Sequence, residues 1–116
     1  MSYQRGDIIL VVFHPPTTGP QRETKARPMV VLSSAIYHTE RPQDVIVALI
    51  TSKVSKYQGQ TDYRLHDWQA AGLYEPSVVR CTLATIETNQ IGGKVGTLTT
   101  LDMQGVEVAL KQALGM

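Results

Sequence analysis

The chain has 116 residues, 42% of them hydrophobic, and a formal net charge of +1. That length suits one domain with one core spanning 1–116, and that apolar share excludes wholesale disorder. The near-neutral charge excludes a protein that coats nucleic acid indiscriminately, although residues 1–56 carry seven Lys/Arg against four Asp/Glu and predict a local basic face.

Gly6-Asp7 signals a turn, and the β-branched run Ile8-Ile9-Leu10-Val11-Val12-Phe13 predicts a buried strand. His14-Pro15-Pro16 stops it. Residues 14–26 then form a long polar loop carrying Arg22, Glu23 and Lys25, and a loop of that length in a small domain is usually functional. The second strand runs from about Arg27 to Ser33. Residues 34–43 read as a polar connection, and Asp44 to about Ser52 as the third strand.

Lys53 to Gln60 is polar, and Thr61 to Leu65 alternates as a short strand. Asp67 to Gly72 reads as a short helical turn, with Asp67 as N-cap and Gly72 at its end. Pro76–Arg80, Leu83–Ile86 and Lys94–Leu98 predict three more strands, with Gly92-Gly93 as a turn. From Leu101 to Leu114 the apolar period becomes helical. Thr99 or Thr100 suits its start, Asp102 its first turn and Gly115 its end. The fold class is therefore mainly β with a C-terminal helix, in a strongly bent sheet or small barrel.

A single cysteine, Cys81, excludes an internal disulfide and a thiolate zinc cluster, and it fits a reducing cytoplasm. The first residues lack the layout of a signal peptide. The longest apolar runs, about six residues, fall far below the roughly twenty needed to span a bilayer. His14, His38 and His66 are scattered, so neither a metal site nor a catalytic triad is indicated. No membrane association and a cytoplasmic location are expected.

Arginine recurs beside the apolar runs. Arg27 opens the second strand and Arg80 follows Ser77-Val78-Val79, while the third strand ends in Thr51-Ser52-Lys53. A guanidinium cannot be buried alone, so these strand ends predict a wet or anion-lined place suited to phosphate. Ordinary ion pairs compete with that reading: Arg27 with Glu23 or Asp44, and Arg80 with Glu75 or Glu87. Lys25, Arg22, Lys53 and Lys56 could track a phosphate backbone from two neighbouring loops. Tyr57 and Tyr63 are candidates for stacking bases. Alternation puts Cys81 opposite Arg80 and in the core.

Four segments in order carry a resemblance: Arg5-Gly6-Asp7-Ile8-Ile9-Leu10-Val11, Lys25-Ala26-Arg27-Pro28-Met29-Val30-Val31-Leu32-Ser33, Ala48-Leu49-Ile50-Thr51-Ser52 and Ser77-Val78-Val79-Arg80-Cys81. Together the segments resemble the PemK/MazF/Kid endoribonuclease toxins of type II toxin–antitoxin systems. The resemblance implies a small SH3-like barrel with a C-terminal helix, working as a homodimer. It implies metal-independent, sequence-selective cleavage of single-stranded RNA through the ribose 2′-hydroxyl, no cofactor, and an acidic antitoxin protein as partner.

By the same resemblance Arg27, Thr51 and Arg80 fall on catalytic positions. The chain departs from the pattern twice. Thr82 stands where one branch has an aspartate two residues after the arginine, and His14 lies too early for that branch's loop histidine. The family's general base therefore has no equivalent here, with Glu23 as an alternative on the same loop. Two other functions are compatible with the fold: a catalytically impaired RNA- or antitoxin-binding protein, and a topoisomerase-poisoning toxin.

Overall fold

The β-branched runs form strands that are buried on both faces. In the computed structural model, which describes residues 3–13 and 25–116, β1 is Asp7–Phe13, β2 Lys25–Val31, α1 Ala35–Glu40, β3 Asp44–Thr51, β4 Asp62–Arg64, β5 Val78–Glu87, β6 Ile91–Thr97 and α2 Thr100–Leu114. The six strands make one sheet in the order β4-β5-β3-β2-β1-β6, with every pairing antiparallel. The expected class, mainly β with a C-terminal helix, is the one observed.

Alternation splits the core in two. Ile8, Val30, Ala48, Ile50 and Val79 point to one side, where Val106 of α2 covers them. Ile9, Val11, Met29, Val31, Val45 and Val47 point to the other side, closed by Ile86 of β5 and by the half-buried Tyr3 and Ile91. Burial on both faces explains why the strands read as continuous apolar runs rather than strict alternations.

Among the described residues the ladder does not close into a barrel, because β4 and β6 remain its edges. Close packing takes the place of the missing hydrogen bonds. The Ala71-Gly72 segment lies directly on β6: a Cβ on Gly96 would stand 2.1 Å from the Ala71 carbonyl oxygen, and one on Gly72 would stand 2.5 Å from that of Val95. Gly72 also has φ +90°, which disfavours any other residue.

Four local expectations differ from the structure. The 34–43 connection contains α1, capped by the Ser34 hydroxyl, which accepts from the Tyr37 N–H at 3.3 Å. Its six residues bury nothing, so no apolar period marked it. Residues 83–86 are the second half of β5 rather than a separate strand. The register jumps from Leu49↔Arg80 to Ala48↔Leu83, which leaves Cys81 and Thr82 as a bulge. Cys81 is therefore only half-buried, and burial together with Asp62 pushes its thiol pKa up. Gly92 and Gly93 lie inside β6, after a 3-10 turn over Thr88–Gln90 that makes the reversal. Asp67 caps no helix, since residues 68–72 form turns and its carboxylate accepts instead from the Thr99 hydroxyl at 3.0 Å.

The helix α2 begins at Thr99, whose hydroxyl accepts from the Asp102 N–H at 3.3 Å, and ends at Gly115 in the left-handed region. Asp102 is fully buried in its first turn. Its carboxylate accepts from the Tyr63 hydroxyl at 2.8 Å and from the backbone N–H groups of His66 and Asp67 at 3.0 and 2.8 Å. The carboxylate is thus bonded by β4 and the turn after it, at the helix end where the dipole favours negative charge. Tyr63 packs its ring over Gly105, where an added Cβ would clash at 2.0 Å. That use of the ring replaces its expected role in base stacking.

Asp102→Ala should leave three donors without their acceptor and lower the unfolding free energy by about 3 kcal/mol or more in urea titrations. A second expectation concerns alkaline pH. Burial, then the bond to Asp102, pushes the Tyr63 pKa up to about 12 from 10.0. Between those values the unfolded chain loses the phenol proton while the folded protein keeps it, so stability falls as pH rises. Tyr63→Phe should remove that part of the slope, which paired urea titrations from pH 9 to 12 would measure.

Candidate functional site

The β2–β3 register decides what meets at one end of the sheet. Met29 pairs with Leu49, Val30 with Ala48 and Val31 with Val47. The pairing ends at Met29↔Leu49, and beyond it Arg27 and Thr51 line one cleft. Arg27 is exposed and Thr51 half-buried. The Thr51 Oγ1 accepts from the Lys53 N–H at 3.2 Å as the chain turns out of β3. That contact occupies a lone pair and leaves the hydroxyl hydrogen free to donate.

A cleft of about 510 Å³ opens here. Among the described residues three segments line it: Ala26, Arg27 and Pro28 from the start of β2; Ile50, Thr51, Ser52 and Lys53 from the end of β3; and Leu73, Tyr74, Glu75 and Ser77 from the approach to β5. Residues of both alternations contribute, so the cleft wraps the strand ends rather than one face. Ser77 is buried, and its hydroxyl donates to the Glu75 carbonyl oxygen at 2.8 Å. This bond and the Ser77 carbonyl, which accepts from the Leu65 N–H at 3.0 Å, tie the third wall to the sheet. Tyr74 stands 97% exposed at the rim.

The proposed residues divide into groups. Arg27, Thr51 and Lys53 share the cleft. Arg80 does not line it; its guanidinium lies over the Tyr57 ring, 3.9 Å from the centroid, and Lys56 approaches the same ring at 5.4 Å. Among the described residues Arg80 forms no ion pair with Glu75 or Glu87, and Arg27 none with Asp44. Tyr57 remains available as a stacking surface with Arg80 already on it. Arg22, His14 and Glu23 lie outside the described residues, as does the side chain of Lys25. Thr82 is exposed in the β5 bulge and does not line the cleft. Among the described residues no cluster of three His, Cys, Asp or Glu could hold a metal, and no helix is long and apolar enough to cross a membrane.

The sequence pattern of the PemK-like, MazF-like toxins of type II toxin–antitoxin systems matches residues 4–114. The chain belongs to this family. No curated protein matches it by sequence. Several solved structures share the fold of this PemK/MazF-like chain. A MazE–MazF complex from Deinococcus radiodurans is 19% identical, with TM-score 0.79 over 100% of this chain and 98% of that one. A mycobacterial endoribonuclease in complex with its cognate antitoxin is 19% identical, with TM-score 0.76 over 99% and 97%. The Mycobacterium tuberculosis toxin MazF-mt6 is 24% identical, with TM-score 0.70 over 93% and 97%.

Sequence reasoning missed Tyr74, Glu75 as a cleft residue, and Ser77. Nothing local marks them, because they reach Arg27 only through the β3–β5 pairing Thr51↔Val78. Ser77→Ala should cost about 1 kcal/mol by deleting one buried hydrogen bond. It should also raise amide exchange across residues 73–77 while leaving β2 and β3 protected, which hydrogen-exchange mass spectrometry would resolve.

Proposed function

We propose that the chain is a metal-independent, sequence-selective endoribonuclease that cuts single-stranded RNA as the toxin of a toxin–antitoxin pair. The observation that carries this reading is the meeting of Arg27, Thr51 and Lys53 in one open cleft. The ribose 2′-oxygen attacks the adjacent phosphorus, the P–O5′ bond breaks, and the products are a 2′,3′-cyclic phosphate and a 5′-hydroxyl. Such a step needs alignment, stabilisation of the phosphorane charge and proton transfer.

Arg27 supplies the second requirement. Its planar fork holds two phosphate oxygens at once and keeps its charge at every relevant pH, which also makes it a poor proton donor. Thr51 adds a hydroxyl donor to the same phosphate. Lys53 holds the backbone as a point charge. Arg80, Lys56 and Tyr57 form an outer shelf for neighbouring nucleotides, and Arg22, which precedes β2 in the sequence, and Lys25, its first residue, are further backbone contacts in this reading. Arg80 is a catalytic candidate only if it leaves Tyr57 when RNA binds.

The named partners of the structural neighbours support an antitoxin for this chain as well. An acidic, partly disordered segment suits a cleft built for phosphates. We further propose a cytoplasmic homodimer. Leu101 and Val108, on one side of α2, are 58% and 62% exposed, and symmetric pairing would cover such apolar positions. A catalytically impaired binding protein is the second reading, motivated by Thr82. Against it, Thr82 stands outside the cleft. The cleft equally disfavours a topoisomerase poison, which needs no phosphate site.

In EDTA, purified protein should cut a mixed RNA pool and leave 2′,3′-cyclic phosphate ends, read by end-specific ligation. Arg27→Ala should raise the barrier by about 3–4 kcal/mol. Lys53→Ala removes one screened contact and should cost roughly 1 kcal/mol or less. Arg27→Lys should rescue little, because an ammonium cannot reproduce the fork. Cleavage that survives Arg27→Ala unchanged would move the active site elsewhere. Tight RNA binding without any cleavage would favour the binding-protein reading.

A further inference from the structure

We propose that Glu75 is the general base that takes the 2′-hydroxyl proton, a role that rests on the ribonuclease reading above. Attack by the 2′-oxygen needs an acceptor for its proton. By the resemblance, one branch of the family has an aspartate and a loop histidine that are not matched here, and the alternative Glu23 lies outside the described residues. Thr82 is a threonine on an exposed bulge, outside the cleft. The acceptor is therefore sought among the groups that line the cleft.

Most of those groups cannot serve. A guanidinium has no acceptor site, which removes Arg27, and the Lys53 ammonium only donates. An alcohol oxygen is far too weakly basic to hold the proton, which removes the hydroxyls of Thr51 and Ser77. Among the described residues, Glu75 is the only acidic side chain that lines the cleft, and no histidine lines it.

Glu75 is also positioned and free. It is exposed, and among the described residues it forms no ion pair, so its carboxylate is not consumed by Arg27, Lys53 or Arg80. Its backbone is nevertheless held. The buried Ser77 hydroxyl grips the Glu75 carbonyl at 2.8 Å, and Pro76 limits the torsion between them. A carboxylate on an anchored backbone, reaching the cleft from a different segment than Arg27 and Thr51, can meet the ribose while those two hold the phosphate. Among the described residues the other charged or titratable groups sharing the cleft are Arg27, Lys53 and Tyr74.

The step balances without a metal. Glu75 takes the 2′-O–H proton as the O2′–P bond forms. The P–O5′ bond breaks, the 5′-oxygen takes a proton from water, and Glu75 returns its proton to solvent.

The test uses the full-length protein and an oligonucleotide carrying a cut site mapped from a mixed RNA pool. Glu75→Gln and Glu75→Ala should lower kcat by about 10²- to 10⁴-fold. Affinity for the same oligonucleotide with 2′-O-methyl groups should stay within about threefold, which also reports an intact fold. Added formate should restore cleavage by Glu75→Ala in proportion to its concentration, and should not restore Arg27→Ala. A Glu75→Gln enzyme within about threefold of wild type would overturn the role. So would a loss of 2′-O-methyl RNA affinity as large as the loss of rate, with no rescue by formate. Wild-type protein that cuts no RNA would instead overturn the ribonuclease reading, and this role with it.

Discussion

The antiparallel register between β2 and β3 serves the core and the cleft together. Met29↔Leu49 and Val31↔Val47 send one set of side chains into one core, while Val30↔Ala48 sends the next into the other. Beyond the last pair, the two strands carry Arg27 and Thr51 to one cleft. A slip of one residue would exchange the faces of every side chain on the strand. Because both faces are buried, the core penalises that slip strongly, and the position of the arginine is fixed by apolar packing some distance from it.

The third wall of the cleft depends on a polar device. Asp102 gathers the Tyr63 hydroxyl and two backbone N–H groups into the start of α2. That holds β4 and the following turn to the helix. The chain then crosses β6 at Ala71-Gly72, where only glycines permit the approach, and reaches Leu73 to Ser77 at the cleft. The helix is therefore more than a lid on one core, since its buried carboxylate helps determine where Tyr74 and Glu75 stand.

Much of this was legible in the sequence. The β-branched runs located β1, β2 and β3, and Thr99 and Gly115 marked the ends of α2, because those signals are local. Arg27 and Thr51 were visible through the family resemblance. What stayed hidden depends on pairing between distant segments. The bulge at Cys81 and Thr82 has no local signature, so alternation wrongly sent Cys81 to the core. Asp102 looked like an ordinary first-turn residue, and its three partners lie more than thirty positions away. Glu75 was visible only as an ion-pair partner for Arg80, whereas Arg80 lies on Tyr57.

If Arg27 and Thr51 hold the scissile phosphodiester, a crystal structure of the protein with a short single-stranded RNA made uncuttable by 2′-O-methyl groups should show it. One phosphate should lie within hydrogen-bond distance of both the Arg27 guanidinium and the Thr51 hydroxyl, with the adjoining ribose beside Glu75. An RNA strand that runs along Arg80, Tyr57 and Lys56 and leaves Arg27 without a phosphate would contradict it.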